Sequence, residues 1–241
     1  MLSELLLAAG DLGSNIISLD KEWLLTVNGS DSLFLDRVSR VLTTAITWLP
    51  LYISLLVVVI HNNDSFRKVF YVLAGAGLCV LFAGAVDDWF VKPGVARWRP
   101  THDPEIGMMV DVVDGYRGGK YGFFSAHAAN TFSIAVFFCW LIRSRLLSTA
   151  LVIWSLTNCW TRLYLGVHYP GDILVGLTWG FIVGSSVYFL YYRFTRRLSS
   201  SSYNFISSNY TSTGFTRSDC DIPVVVLVLT LVYALIKSCI V

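Results

Sequence analysis

Long apolar runs alternate with short polar breaks through most of the chain, at about 41–60, 69–86, 124–142, 146–165, 173–192 and 222–240. Each run approaches the ~20 residues that an α-helix needs to cross hydrocarbon. In lipid the backbone must satisfy its own hydrogen bonds, so such runs are helices. The pattern predicts an all-α integral membrane bundle of six helices, with Trp48, Trp89, Trp140 and Tyr192 near run ends as interfacial aromatics. Upstream, Leu19–Asp36 ("LDKEWLLTVNGSDSLFLD") is too broken by charge to cross, yet Leu19, Trp23, Leu24 and Val27 recur at helical spacing. That spacing predicts an interfacial N-terminal helix. The opening "MLSELLLAAG" lacks a basic leader and carries Glu4, so it reads as no cleavable signal. The expected divisions are an interfacial segment 1–40, a five-helix core 41–192, a cytoplasmic loop 193–221 and a sixth helix 222–241. The Ser/Thr/Asn-rich stretch Arg196–Asp219 within that loop reads as mobile.

Loop charge orients the bundle. Short basic loops at His61–Lys68, Arg143–Arg145 and around Arg193, Arg196 and Arg197 predict the cytoplasmic side. The 87–123 loop, the 166–171 turn and both termini then face outward. Composition agrees with this reading: 55% of the 241 residues are hydrophobic and 14% charged, against about a quarter charged in soluble domains. A net charge of +2 gives no reason to expect a nucleic-acid partner. Cys79, Cys139, Cys159, Cys220 and Cys239 are scattered through apolar sequence without metal-ligand spacing and read as small buried hydrophobes.

Ionisable residues at span edges are costly, at roughly 2.5–3.5 kcal/mol for a charge at the helix centre, and so need a reason. Here three sets return to the outer face. Lys92 and Arg99 flank a Pro-Gly turn that can aim both cations at one anion, the arginine as a planar fork. Ser125 stands at the N-cap of the third run, where free backbone N–H groups make an anion site, and His127 follows two residues on. His168 and Asp172 are four apart across a turn, a spacing at which a carboxylate can fix an imidazole's tautomer, and Arg162 precedes them. Taken singly, each has a plainer reading: a snorkelling arginine, a polar cap, an ordinary turn.

Together they spell Lys-x6-Arg-Pro, Phe124-Ser125-Ala126-His127, and Thr161-Arg162-x5-His168-x3-Asp172. This order resembles the type 2 phosphatidic-acid phosphatase superfamily, whose membrane members hydrolyse lipid phosphates and whose site is shared with vanadium haloperoxidases. The resemblance covers Lys92 through Asp172. The family's second motif usually reads Pro-Ser-Gly-His, so Phe124 and Ala126 depart from it. Thr161 replaces a serine in the third. The resemblance implies that His168 is the nucleophile forming a phosphohistidine, that Asp172 orients it, and that His127 is general acid and then base. It further implies that Lys92, Arg99, Ser125, Ala126 and Arg162 hold the phosphate, with no metal or other cofactor. Arg117 and Lys120, in a glycine-rich "GYRGGKYG" segment read as a flexible lid, are candidate headgroup contacts.

The expected function is thus metal-independent release of phosphate from a membrane lipid at the outer, periplasmic face of a bacterial inner membrane. Lipid A phosphate or undecaprenyl diphosphate leads, with phosphatidylglycerol phosphate or phosphatidate next. A non-hydrolytic lipid-phosphate binder or transporter is the alternative of another class. No obligatory protein partner is implied. Asp111 and Asp114 in "DVVDG" resemble the opening of a metal-binding phosphotransferase motif whose remaining aspartates do not follow. His102 reads as a polar loop residue.

Overall fold

The computed structural model of the 241-residue chain describes residues 2–196 and 208–240, with side chains from Gly13 onward. Its regular elements are helical, joined by two isolated antiparallel bridges among the described residues. They run α1 Leu2–Val27, α2 Leu33–Thr43, α3 Leu49–His61, α4 Phe66–Val80, α5 Lys92–Val95, α6 Ala126–Ile142, α7 Arg145–Tyr164, α8 Pro170–Thr195 and α9 Arg217–Ile240. Two π-helical stretches, Leu81–Ala85 and Asp87–Val91, join α4 and α5 into one continuous helix, Phe66–Val95. That helix, α8 and α9 are each long and apolar enough to cross a membrane, and α2 with the following Ala45–His61 helix could supply a fourth crossing as a bent pair. The chain is an integral membrane protein.

Three expectations change. The run at 69–86 continues as helix to Val95, so Pro93 and Gly94 lie in a helix and the chain turns instead at Ala96, where φ is +50°. The single interfacial helix expected within 19–36 is two helices, broken where Gly29 takes a left-handed φ of +65° and Ser32 caps α2 by accepting from Leu35 N–H. Of the four residues that suggested an interfacial face, Leu19, Trp23 and Val27 are exposed, whereas Leu24 is fully buried against Ile106, Val110 and Tyr169. The run at 41–60 is likewise not one helix. Extended backbone at Thr44 ends α2, and a 3-10 turn leads into α3 with Pro50 in its first turn, so the pair bends by 70°. The polar stretch expected to be mobile lies partly in 197–207, outside the described residues. The part that is described is tied down: Thr216 N–H donates to Asn62 Oδ1 and Thr213 Oγ1 to Ile142 O.

Helices α6 and α8 form the closest joint in the bundle. Gly176, Gly180 and Gly184 recur at four-residue spacing along α8 and face the α6 backbone, where an added Cβ would stand 2.7, 2.7 and 2.4 Å from the carbonyl oxygens of Ser125, Ala129 and Ser133. Small residues at this spacing let two membrane helices approach to backbone contact. The stripe begins beside the catalytic candidates, so it fixes the start of α6 against the start of α8. Ser125 N–H there donates to Asp172 O at 3.1 Å.

Candidate active site

Four segments of the chain build the site at one end of that joint. The first is the start of α8. Pro170 supplies the preset φ of a first helical position, and Asp172, three residues past the N-cap, accepts Tyr169 N–H on Oδ2 at 3.0 Å. The cap holds the carboxylate 3.6 Å from His168 Nδ1, an ion-pair distance too long for a hydrogen bond. Both side chains are buried, His168 at 1% exposure and Asp172 at none. The second segment is the end of α7. Gly166, at φ +63°, turns the chain so that Arg162 and His168 return to the same place. A Cβ at Gly166 would lie 2.4 Å from Val110, so the turn requires glycine for space as well as for backbone sign.

The third segment is the loop between the continuous helix and α6. Residues 97–99 pair antiparallel with 120–122, through Arg99 N–H to Lys120 O and Gly122 N–H to Arg97 O. This ladder places Arg99 over the imidazole, with Nη1 3.2 Å from His168 Nε2 and 3.2 Å from Val167 O. Arginine only donates, so Nε2 accepts and the ring proton sits on Nδ1, facing Asp172. The lone pair of a buried imidazole is thereby aimed into the cation cluster. Burial first, then the charges of Arg99, Arg162 and Lys92, hold the His168 pKa well below its ordinary value. Its neutral, nucleophilic form is the one favoured.

The fourth segment is the first turn of α6. Ser125 caps it, accepting Ala128 N–H at 3.4 Å, and the N–H groups of Ala126 and His127 lie in the turn that has no intrahelical acceptors. His127 is partly exposed, with Arg162, Arg99 and Lys92 as its cationic neighbours. Arg162, 2% exposed, is held by Thr43 Oγ1 at 2.6 Å and by Tyr116 Oη at 3.1 and 3.2 Å, while its Nε–H points to no acceptor in the protein. A buried guanidinium with an unspent donor beside two imidazoles is arranged to receive an oxyanion, because leaving such a donor unpaired otherwise costs about 1–3 kcal/mol.

The structure thus brings together His168, His127, Asp172, Arg99, Arg162, Ser125 and Ala126. Lys92 stands at the edge, 2.9 Å from the buried Asp87 and 2.5 Å from Asp88. Arg117 and Lys120 are exposed. Arg117 exchanges bonds with Thr101 backbone and side chain, and Lys120 lies over the Trp98 ring at 4.6 Å. The segment read as a lid passes directly above the site, Gly118 packing on the Arg99 guanidinium where a Cβ would stand 3.0 Å from Nη1. Asp111 and Asp114 lie apart from it: the Asp111 backbone bonds the Asn28 amide at the end of α1, and Asp114 faces Arg40 at 3.9 Å. His102 Nδ1 meets Thr101 Oγ1.

Residues absent from the sequence reading complete the electrostatics. Arg97 bridges Asp172 Oδ1 at 2.7 Å and Asp20 Oδ2 at 2.6 Å, while Asp20 Oδ1 accepts Gly171 N–H at 2.7 Å. Helix α1 is therefore bound into the network of the Asp172 carboxylate. Thr43, Tyr116 and Asp87 were silent in sequence, whereas Arg97 carried a signal, as a third cation between Lys92 and Arg99.

Comparison with known proteins identifies the family. The PAP2 superfamily model matches residues 67–198. A lipid A 4'-phosphatase of Bacteroides thetaiotaomicron is 41% identical over 184 residues, 76% of this chain and 81% of that protein. A lipid A 4'-phosphatase of Porphyromonas gingivalis is 33% identical over 178 residues, covering 73% of this chain and 74% of its own length. A decaprenylphosphoryl-5-phosphoribose phosphatase of Mycobacterium tuberculosis is 36% identical over 122 residues, half of this chain and 61% of that one. No solved structure matches. The chain belongs to the PAP2 superfamily, a family of phosphatases.

Proposed function

We propose that this protein removes a phosphate from lipid A at the outer face of a bacterial inner membrane, through a phosphohistidine intermediate. His168 Nε2 attacks phosphorus while Asp172 steadies the positive charge that develops on the ring. His127 protonates the departing sugar oxygen. In the second half, His127 takes a proton from water, the hydroxide oxygen attacks the phosphohistidine, and inorganic phosphate leaves with His168 restored. Arg99, Arg162, Lys92, Ser125 Oγ and the first-turn N–H groups of Ala126 and His127 hold the phosphoryl oxygens, where stabilisation of charge does most of the work in phosphoryl transfer. The six apolar helices cross the membrane with the site facing the periplasm. Helix α1 lies on that surface through Leu19, Trp23 and Val27, all exposed.

The observation that carries the reading is His168 itself, a buried imidazole with Nδ1 toward Asp172 and Nε2 within 3.2 Å of Arg99. A protein that only bound lipid phosphate would have no use for that polarisation. The test is phosphate release by the purified protein in detergent with EDTA, on lipid A, undecaprenyl diphosphate, phosphatidylglycerol phosphate and phosphatidate. Lipid A should be the strongest substrate, and His168→Ala should abolish release while still binding the lipid. Equal turnover by mutant and parent would refute the nucleophile, and no release from any lipid would refute hydrolysis.

A further inference from the structure

The last turn of α2 has two sides. On one, Thr43 Oγ1 accepts from Arg162, the guanidinium assigned above to the phosphate. On the other, its neighbours Arg40, Val41 and Thr44 line a groove of about 880 Å³. Ile46, Thr47 and Pro50 continue that wall, and Val226, Leu229, Thr230, Tyr233 and Lys237 of α9 form the opposite one. The volume falls within the ~300–1,000 Å³ of small-molecule sites.

The lining is mostly apolar, with Thr44, Thr47, Thr230 and Tyr233 as its neutral polar residues and two cations. Arg40 and Lys237 line it with no acidic residue. Tyr116 links the groove to the phosphate site, since the Arg40 guanidinium stands 4.6 Å from its ring centroid and that of Arg162 5.5 Å from the same centroid. Among the described residues Arg40 meets a carboxylate only at Asp114, 3.9 Å away and largely exposed, which leaves most of its charge unanswered.

We infer that this groove seats a hydrocarbon chain of the substrate lipid, with a second anionic group of the same lipid at Arg40 and Lys237. The inference rests on the lipid phosphatase reading above and adds to it where the rest of the molecule is held. A mostly apolar trough carrying two cations fits an amphiphile with an anionic head, and the shared turn of α2 sets the trough beside the scissile phosphate. Inside a bilayer, lipid tails are as apolar as the groove wall, so burial alone gives little drive. The groove would act by orientation, fixing which phosphate of a lipid with more than one reaches His168. The cations supply selection, since Arg40 and Lys237 would gain a partner that an uncharged headgroup lacks.

Two readouts test this. In the first, a photoactivatable lipid phosphate, with the crosslinker on its chain, is bound to the His168→Ala protein and the labelled peptides are mapped. Label is expected within 40–50 and 226–237, displaced by excess unlabelled lipid phosphate but not by a neutral lipid of the same chains. Label elsewhere, or label that the neutral lipid displaces equally, would overturn the inference and return the groove to bulk membrane lipid. In the second, Ile46→Trp and Leu229→Trp, at exposed positions that project into the groove, should lower kcat/KM on the lipid at least tenfold. Lys237→Gln should narrow the parent's preference for a lipid with two phosphates over one with a single phosphate. Unchanged kinetics in all three variants would overturn it. The labelling arm does not need turnover, so it still answers if the parent releases no phosphate, an outcome that would fail the phosphatase reading instead.

Discussion

Two helix joints in this molecule are built on opposite plans. Between α6 and α8 the glycines at 176, 180 and 184 leave a stripe without side chains, and along it the helices meet backbone to backbone. Between α2–α3 and α9 larger side chains stand apart and leave a groove of about 880 Å³. The tight joint carries Ser125 and His127 at the start of one helix and Asp172 at the start of the other, so the groups proposed to react stand beside backbone-to-backbone packing. The open joint carries Arg40, Val41 and Thr44, and its freedom can be given to a flexible lipid. Bond breaking needs positions held to a fraction of an ångström, whereas a chain needs only room and a direction.

The comparison breaks most visibly if the tight joint is opened. Gly184→Val puts a branched side chain where even a Cβ would meet Ser133 O at 2.4 Å, and such overpacking costs about 1–3 kcal/mol or more. The variant should lose nearly all activity together with thermal stability. Gly77→Ala, where nothing lies within 4 Å of the added methyl, should lose neither. Equal melting temperatures for Gly184→Val and the parent, read in the same detergent, would show that the joint is not close-packed.

Next in size is Arg97→Gln. It leaves the buried Asp172 without its 2.7 Å cation and unties Asp20 of α1, and removing one partner of a buried pair strands the other charge. Because the Arg97 guanidinium is engaged by Asp172 and Asp20, kcat should fall about 10- to 100-fold, which is ~1.4–2.7 kcal/mol of barrier, with KM nearly constant. Arg97→Lys should recover part of kcat by restoring one charge without the bridge to Asp20. A rise in KM with kcat intact would instead make Arg97 a substrate contact. Asp20→Asn should show a weaker version of the same split, because Arg97 keeps its bond to Asp172.

How far the site could be read from sequence follows from which residues have a fixed type and a fixed interval. Lys92, Arg99, Ser125, His127, Arg162, His168 and Asp172 announce themselves because the family motifs they resemble constrain both. Their supports do not. Asp20, Thr43 and Tyr116 are ordinary polar residues on three separate segments, and only the folded chain shows that they end on Arg97 and Arg162. The glycines of α8 were readable, since small residues four apart on an apolar helix are a packing signal. The break at Thr44 was not, because the apolar run continues straight across it and hydrophobicity says nothing about a 70° bend. The apolar pattern located the helices well and their ends poorly. Lys92 and Asp87 stand on the far turns of a helix expected to stop at 86 that continues to Val95.

The acid limb of the pH profile offers a finer test. The His168 pKa is held down by burial first and then by Arg99. Removing a positive charge favours the protonated ring, so in Arg99→Gln that pKa rises and the neutral nucleophile is lost at higher pH. The acid limb of kcat/KM, which reports free-enzyme groups, should move upward relative to the parent. Taking the difference on one substrate cancels the substrate's own ionisation. A limb that stays in place or moves down would remove Arg99 from the list of groups that set the imidazole's charge.

The smallest effects belong at the rim, where the same question is asked of loosely held charge. Arg117 and Lys120 are exposed, and their present partners are a backbone carbonyl and the Trp98 ring. Exposed charges at a binding rim mainly change encounter and its salt dependence, at about 0–1 kcal/mol each. Arg117→Ala and Lys120→Ala should therefore raise KM no more than about fivefold, a change of ~1 kcal/mol. The rise should be larger on a diphosphate than on a monophosphate, and kcat should not change. The rise should also shrink as salt is added, because screened charges attract less. An effect that persists at high salt would mean that the segment closes over bound lipid and buries those cations. It would then belong with the tight joint rather than the open one. Unchanged kinetics on both substrates would leave Gly118, packed on Arg99, as the part of that segment that matters.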